Sequence, residues 1–112
     1  MKDMAKLVSI LIPCYNAEKW LNETIASVLS QTWPNKEIII VDDGSTDNSL
    51  QLAKQYESKI VRVVSQENGG AAEARNKAYE YAQGDYIQWL DADDLLAPDK
   101  IENQMRVAEE TG

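Results

Sequence analysis

The sequence predicts an α/β fold in which a mostly parallel sheet is flanked by helices. Four short apolar runs rich in β-branched residues alternate with longer stretches of helical periodicity, the pattern of successive βαβ units. The runs are apolar nearly throughout rather than at every second residue, as strands covered on both faces require. No linker or low-complexity tract breaks the alternation, so residues 1–112 are expected to form one domain.

The first strand is expected from Leu7 to Ile12, ended by Pro13. After a turn at Cys14, Tyr15 and Asn16, a helix capped by Asn16 is expected to reach about Gln31, with Leu21, Ile25, Val28 and Leu29 on one face. Trp33-Pro34-Asn35 turns the chain into a second strand, Glu37 to Val41. That strand runs into Asp42-Asp43-Gly44-Ser45-Thr46-Asp47, whose polar side chains can start a helix ending near Tyr56. The third strand is read from Ile60 to Ser65. Asn68-Gly69-Gly70 follows it, and then an alanine-rich helix from Ala71 to about Gln83 whose small side chains permit close packing on the sheet. The fourth strand, Tyr86 to Leu90, stops at Asp91-Ala92-Asp93-Asp94. A last helix after Pro98 puts Ile101, Met105 and Ala108 on one side. Right-handed crossovers send all strands the same way, so the loops that follow them meet at one sheet edge, where open α/β sheets bind ligands.

Composition narrows the chemistry. A formal net charge of -8 without a basic stripe argues against nucleic acid as a partner. The absence of histidine excludes Ser-His-Asp and Cys-His nucleophiles and any His-ligated metal. The single cysteine, Cys14, allows no intrachain disulfide and reads as a small buried hydrophobe. No apolar stretch is long enough for a membrane span and no signal-peptide core is seen, so cytoplasmic residence is expected.

The candidate functional residues lie after the strands. Asp91, Asp93 and Asp94 crowd three carboxylates into four positions, a repulsion that a divalent cation would relieve. Magnesium or manganese takes one or two protein carboxylates and completes its shell with water and phosphate oxygens, so this spacing suits a diphosphate ligand. The same aspartates would also serve as turn and helix-start residues. Asp42 and Asp43 could accept a hydrogen bond from a nucleobase ring N–H, or simply begin a solvated helix. Tyr15 offers a ring that could stack on a base, and Arg75 and Lys77 could meet phosphate or base oxygens. Trp20, Trp33 and Trp89 read as packing residues.

Together, Ser9-Ile10-Leu11-Ile12-Pro13-Cys14-Tyr15-Asn16, Ile40-Val41-Asp42-Asp43-Gly44-Ser45-Thr46-Asp47, Ala74-Arg75-Asn76, and Gly84-Asp85-Tyr86 through Asp91-Ala92-Asp93-Asp94 resemble the family 2 glycosyltransferases of GT-A fold. The likeness spans almost the whole chain. It implies a Rossmann-like GT-A sandwich truncated after its fourth βα unit, binding a nucleoside-diphosphate sugar, with UDP as the usual nucleotide, together with Mg2+ or Mn2+. Tyr15 and Asp43 would hold the base with Arg75 nearby. Asp91 would lie near the ribose, Asp93 would contact the metal, and Asp42 and Asp94 would support them or cap helices. The implied reaction is inverting transfer of a sugar to an acceptor hydroxyl, the acceptor itself unknown. By the resemblance its general base lies beyond residue 112, so no catalytic residue is assigned, and donor binding without competent transfer is expected. A sheet cut short in this way is expected to expose an edge and apolar surface through which the chain could self-associate.

Other α/β readings fit less well. A receiver-like regulatory module also gathers acidic residues at a sheet edge, but would carry its acidic pair after the first strand and a functional lysine after the fifth. A phosphatase with Asp91 as nucleophile would carry its Asp-x-Asp after the first strand, and a dinucleotide-binding dehydrogenase would show G-x-G-x-x-G there.

Overall fold

Strands and helices alternate strictly in the computed structural model, which describes residues 6–111, with side chains through Glu109. Residues 1–5 and Gly112 of the expected domain lie outside the described residues. The order is β1 (Val8–Cys14), α1 (Leu21–Leu29), β2 (Lys36–Asp43), α2 (Ser49–Lys54), β3 (Val61–Gln66), α3 (Ala71–Tyr81), β4 (Tyr86–Trp89) and α4 (Lys100–Thr111). All pairings are parallel and the strand order is β3-β2-β1-β4.

The continuous apolar runs are explained by burial on both faces. Ile10 and Ile12 of β1 and Ile38 and Ile40 of β2 face one layer, where they pack with Leu21, Ile25 and Val28 of α1, Ala53 of α2, and Ile101 and Met105 of α4. Leu11, Ile39 and Val41 face the other, against Ala74 and Ala78 of α3. Alanine at those two positions lets α3 lie close to β1 and β2, as its composition predicts. Full burial of each large aliphatic side chain is worth about 1.5–3 kcal/mol, so β1 and β2 anchor the fold. β4 stands at the sheet edge, with Tyr86 and Trp89 each 41% exposed.

Several predicted boundaries move, each for a local reason. Pro13 does not end β1, which continues through Cys14. The Leu11 carbonyl accepts the Leu90 N–H on the β4 side, and neighbouring strand residues bond to opposite sides. The missing N–H of Pro13 therefore falls on the β4 side, beyond the last paired register of Leu11 with Trp89. Asn16 does not cap α1. It adopts a left-handed φ of 49°, which Asn tolerates, and a turn at 18–20 delays the helix to Leu21. Leu29, expected in the buried face, is 38% exposed, whereas Thr24 is fully buried. The reason is the segment between β4 and α4, which lies along the Thr24 side of α1.

Gly44 has φ +75°, and a Cβ there would sit 2.7 Å from the backbone N of Asn68. Gly44→Ala is expected to cost at least about 1–2 kcal/mol from the left-handed backbone alone. In a thermal melt this should lower Tm by about 4 °C or more, and an unchanged Tm would contradict the tight approach of these two loops.

Candidate functional site

The segments that follow all four strands line one cleft of about 370 Å³ at the C-terminal edge of the sheet, within the about 300–1,000 Å³ usual for small-molecule sites. The crevice lies beside β1, the strand at which the order reverses from β2 and β3 on one side to β4 on the other.

The first wall comes from β1 and its loop, through Cys14, Tyr15, Asn16, Ala17 and Trp20. This loop is clasped to the one after β2. The N–H groups of Asn16, Ala17 and Glu18 donate to Ser45 Oγ (2.9 Å), Ser49 Oγ (2.8 Å) and Asp47 Oδ2 (3.2 Å). In return Asn16 Oδ1 accepts from the N–H of Thr46 at 2.8 Å, and Glu18 Oε1 from that of Asn48 at 2.8 Å. These reciprocal bonds satisfy backbone groups that no ladder serves. They hold Tyr15, 51% exposed, on the rim.

Asp43 ends β2 on the cleft floor, 4% exposed. Its Oδ1 accepts from Gln66 Nε2 at 2.9 Å and the Gly69 N–H at 2.8 Å, and its Oδ2 from the Gly70 N–H at 3.0 Å and Asn68 Nδ2 at 3.3 Å. Burial pushes this carboxyl upward, but the bonds from Gln66, Gly69 and Gly70 outweigh it and hold it below its ordinary value. Gly70 heads α3 with φ +99°, a conformation open to glycine. The charge of Asp43 thus fixes the β3–α3 loop, and α3 then carries Arg75 to the opposite wall.

Asp91 and Asp93 form the fourth side. The Asp94 N–H donates to the Asp91 carbonyl at 3.0 Å, closing a four-residue turn. Within it Ala92 is 7% exposed and packs into the core, while both flanking aspartates are exposed. An inward small residue between two outward carboxylates is what the Asp-x-Asp spacing accomplishes here.

The fold therefore brings Tyr15, Asp43, Arg75, Asp91 and Asp93 to one cleft, from four separate loops. Asp42, also a candidate nucleotide ligand, is not among them. It is 2% exposed, its Oδ2 accepts the Ser45 N–H at 3.0 Å, and its Oδ1 is buried without a partner among the described residues. It faces away because adjacent strand residues point to opposite sides of a sheet. Lys77 and Asp94 also lie outside the cleft lining. Trp20, read from sequence as packing, is 46% exposed and lines the cleft. Trp89 is half-exposed too, and only Trp33 packs against the core, its Nε1 donating to the Lys6 carbonyl at 2.9 Å. Asn68 and Gly70 complete the lining, and the Asn-Gly-Gly run was their signal as a turn. The Cys14 thiol is no nucleophile. Burial first, then the charge of Asp42, pushes it up to about 12.

Among its described lining residues the cleft has three carboxylates and one cation, Arg75. No cluster of three or more Asp, Glu or Cys able to cage an ion is found among the described residues. Mg2+ or Mn2+ bound with a diphosphate needs only one or two carboxylates, so Asp91 and Asp93 fit such an ion when phosphate oxygens complete its shell.

Residues 9–112 match the family described as "Glycosyl transferase family 2". The chain belongs to this family. It is 47% identical over 108 residues to TuaG of Bacillus subtilis, a glycosyltransferase named for teichuronic acid biosynthesis, covering 94% of this chain and 43% of TuaG. S. aureus TarS, solved with UDP-GlcNAc, superposes with a TM-score of 0.86 at 31% identity, covering 92% of this chain and 31% of that one. The mannosyltransferase PcManGT from Pyrobaculum calidifontis, solved with GDP-Man and Mn2+, gives a TM-score of 0.77 at 27% identity, covering 91% and 31%. The chain thus spans less than half the length of these relatives. Its four-stranded parallel sheet with flanking helices is the front of the GT-A, Rossmann-like fold. No described helix is long and apolar enough to cross a membrane.

In this family 2 domain the loop clasp has a pH signature. Asp47, whose upward push from burial is outweighed by bonds from the Ser49 hydroxyl and N–H, is held low like Asp43; both titrate below the ordinary 3.8. A depressed folded value gives stability that is fully present above the unfolded pKa of about 4 and is lost as pH falls through the folded one. Tm is expected to stay level down to about pH 4 and to drop below it. Asp43→Asn should cost about 1.5–3 kcal/mol at pH 7 and flatten that acid limb, while equal acid limbs in variant and parent would refute the assignment.

Proposed function

We propose that this chain forms the donor-binding part of an inverting glycosyltransferase that uses a UDP-sugar with Mg2+ or Mn2+. The observation that carries the proposal is the single cleft in which Tyr15, Asp43, Arg75, Asp91 and Asp93 meet at the C-terminal sheet edge. Support comes from similar structures of known content, since TarS has been solved with UDP-GlcNAc and PcManGT with GDP-Man and Mn2+.

In this reading the base stacks on the exposed ring of Tyr15. A ring N–H of the base donates to Asp43, replacing the Asn68 amide, whose 3.3 Å bond is the longest of the four on that carboxylate. Arg75 meets base or phosphate oxygens with its planar fork of donors. Asp91 accepts from the ribose hydroxyls, Asp93 holds the cation, and Trp20 belongs to the wall that carries Tyr15. When bound, the divalent cation supplies the charge that a departing diphosphate requires. Without it, three carboxylates against one arginine would repel the ligand. None of these cleft residues is assigned as general base, and transfer to an acceptor is proposed for proteins of the relatives' full length.

Calorimetry with UDP is the direct test. Binding is expected with Mn2+ and should weaken at least about tenfold when the metal is removed or in Asp93→Asn. Equal affinity with and without metal would remove the cation from the proposal, and no UDP binding under any condition would remove the proposal itself.

A further inference from the structure

The turn that carries Asp91 and Asp93 belongs to a stretch without regular structure between β4 and α4, yet it is held by one side of α1. Thr24 is fully buried, and its Oγ1 lies 2.8 Å from the Ala92 carbonyl and 2.7 Å from the Asp94 carbonyl. The two carbonyls flank Asp93. A threonine hydroxyl has one proton, so the two acceptors share it and are drawn to a single point. One turn further along α1, Ser27 Oγ accepts the Leu96 N–H at 3.2 Å and donates to the Thr24 carbonyl at 2.7 Å. Beyond it the Gln31 amide donates to the Ala97 carbonyl at 2.7 Å and accepts the Ile101 N–H at 3.1 Å. Thr24 and Ser27 lie about one turn apart on α1, and Gln31 follows two residues past its end. Thr24 and Gln31 are buried and Ser27 half-buried; buried polar groups are costly unless bonded, and here all three are bonded to the same segment.

We propose that Thr24, with Ser27 and Gln31 behind it, is the positioning element of the diphosphate end of the site. The three side chains set where Asp91 and Asp93 stand without touching the ligand. This rests on the functional reading above, which makes those aspartates the cation and ribose ligands. The base end is held independently, through Asp43 and the β3–α3 loop. Loosening the α1 face therefore separates the two ends of the site. Metal-dependent affinity for the diphosphate falls more than affinity for the bare nucleoside, which loses only the Asp91 contact to its ribose while Asp43 still holds its base.

The test uses the 112-residue chain as parent, Thr24→Val, which keeps the shape and loses the hydroxyl, and Thr24→Ser, which keeps the hydroxyl. Calorimetry with uridine, and with UDP in the presence and absence of Mn2+, is paired with amide hydrogen exchange at Leu95 and Leu96. Thr24→Val is expected to lose about tenfold in UDP affinity with Mn2+, to lose clearly less in uridine affinity, and to exchange Leu95 and Leu96 faster, with Thr24→Ser restoring all three. Parent-like Mn2+-dependent UDP affinity in Thr24→Val overturns the inference, as does an equal loss of uridine, which would mark general loosening. A parent that gains nothing from Mn2+ defeats the functional reading instead. Exchange then still decides the positioning role, because unchanged Leu95 and Leu96 rates would overturn it. If Thr24→Val does not fold, Ser27→Ala, which frees the Leu96 N–H and removes the hydroxyl's bond to the Thr24 carbonyl, carries the same comparison with the same outcomes.

Discussion

Parallel pairing of β1 with β2 on one side and β4 on the other is the constraint from which the site follows. Parallel strands must be joined by crossovers, and crossovers of one hand cover both faces of the sheet with helices. The middle of β1 and β2 is then apolar, with Ile10, Leu11, Ile12 and Ile38 through Val41 buried on one side or the other. Polarity is left to the strand ends. Each strand runs into polar residues at the same edge, so chemistry separated by almost eighty positions along the chain, from Tyr15 to Asp93, converges without any local motif being complete in itself.

Charge does structural work before a ligand arrives. Asp43 and Asp47 each gather several donors of the chain itself, and those bonds order the loops after β1 and β3. Asp91 and Asp93, in contrast, are exposed and their turn is set by a backbone bond and by α1. The cleft is thus ordered in two ways, with its Asp43 end organised by carboxylate bonds and its Asp91–Asp93 end by neutral side chains on and just after α1. A site preorganised like this loses less entropy on binding than one whose loops must first be ordered.

Most of the fold was legible in the sequence because continuous apolar runs and helical periodicity report burial directly, and all eight elements stand where those signals lie. Strand ends were less legible. Pro13 signals a stop only if its missing N–H would be needed, which depends on how far β4 reaches. Asp42 and Asp43 look alike in sequence, and strand alternation alone separates the buried one from the one in the cleft. Trp20 could not be told from a core aromatic because its position depends on where α1 begins, and Asn16 bonds the neighbouring loop instead of capping that helix. The polar side chains on and just after α1 were hidden for a related reason: Thr24, Ser27 and Gln31 resemble a solvated stripe until the segment after β4 is laid against them.

Ala92 sits between two cleft-lining aspartates but belongs to the same apolar cluster as Leu90 and Ile101. The volume allowed at that position is therefore dictated from beneath, by close-packed neighbours, and owes nothing to whatever occupies the cleft. Remodelling the cleft is free to alter the acids on either side, whereas enlarging the methyl group between them would tilt the whole turn and re-aim both acids at once.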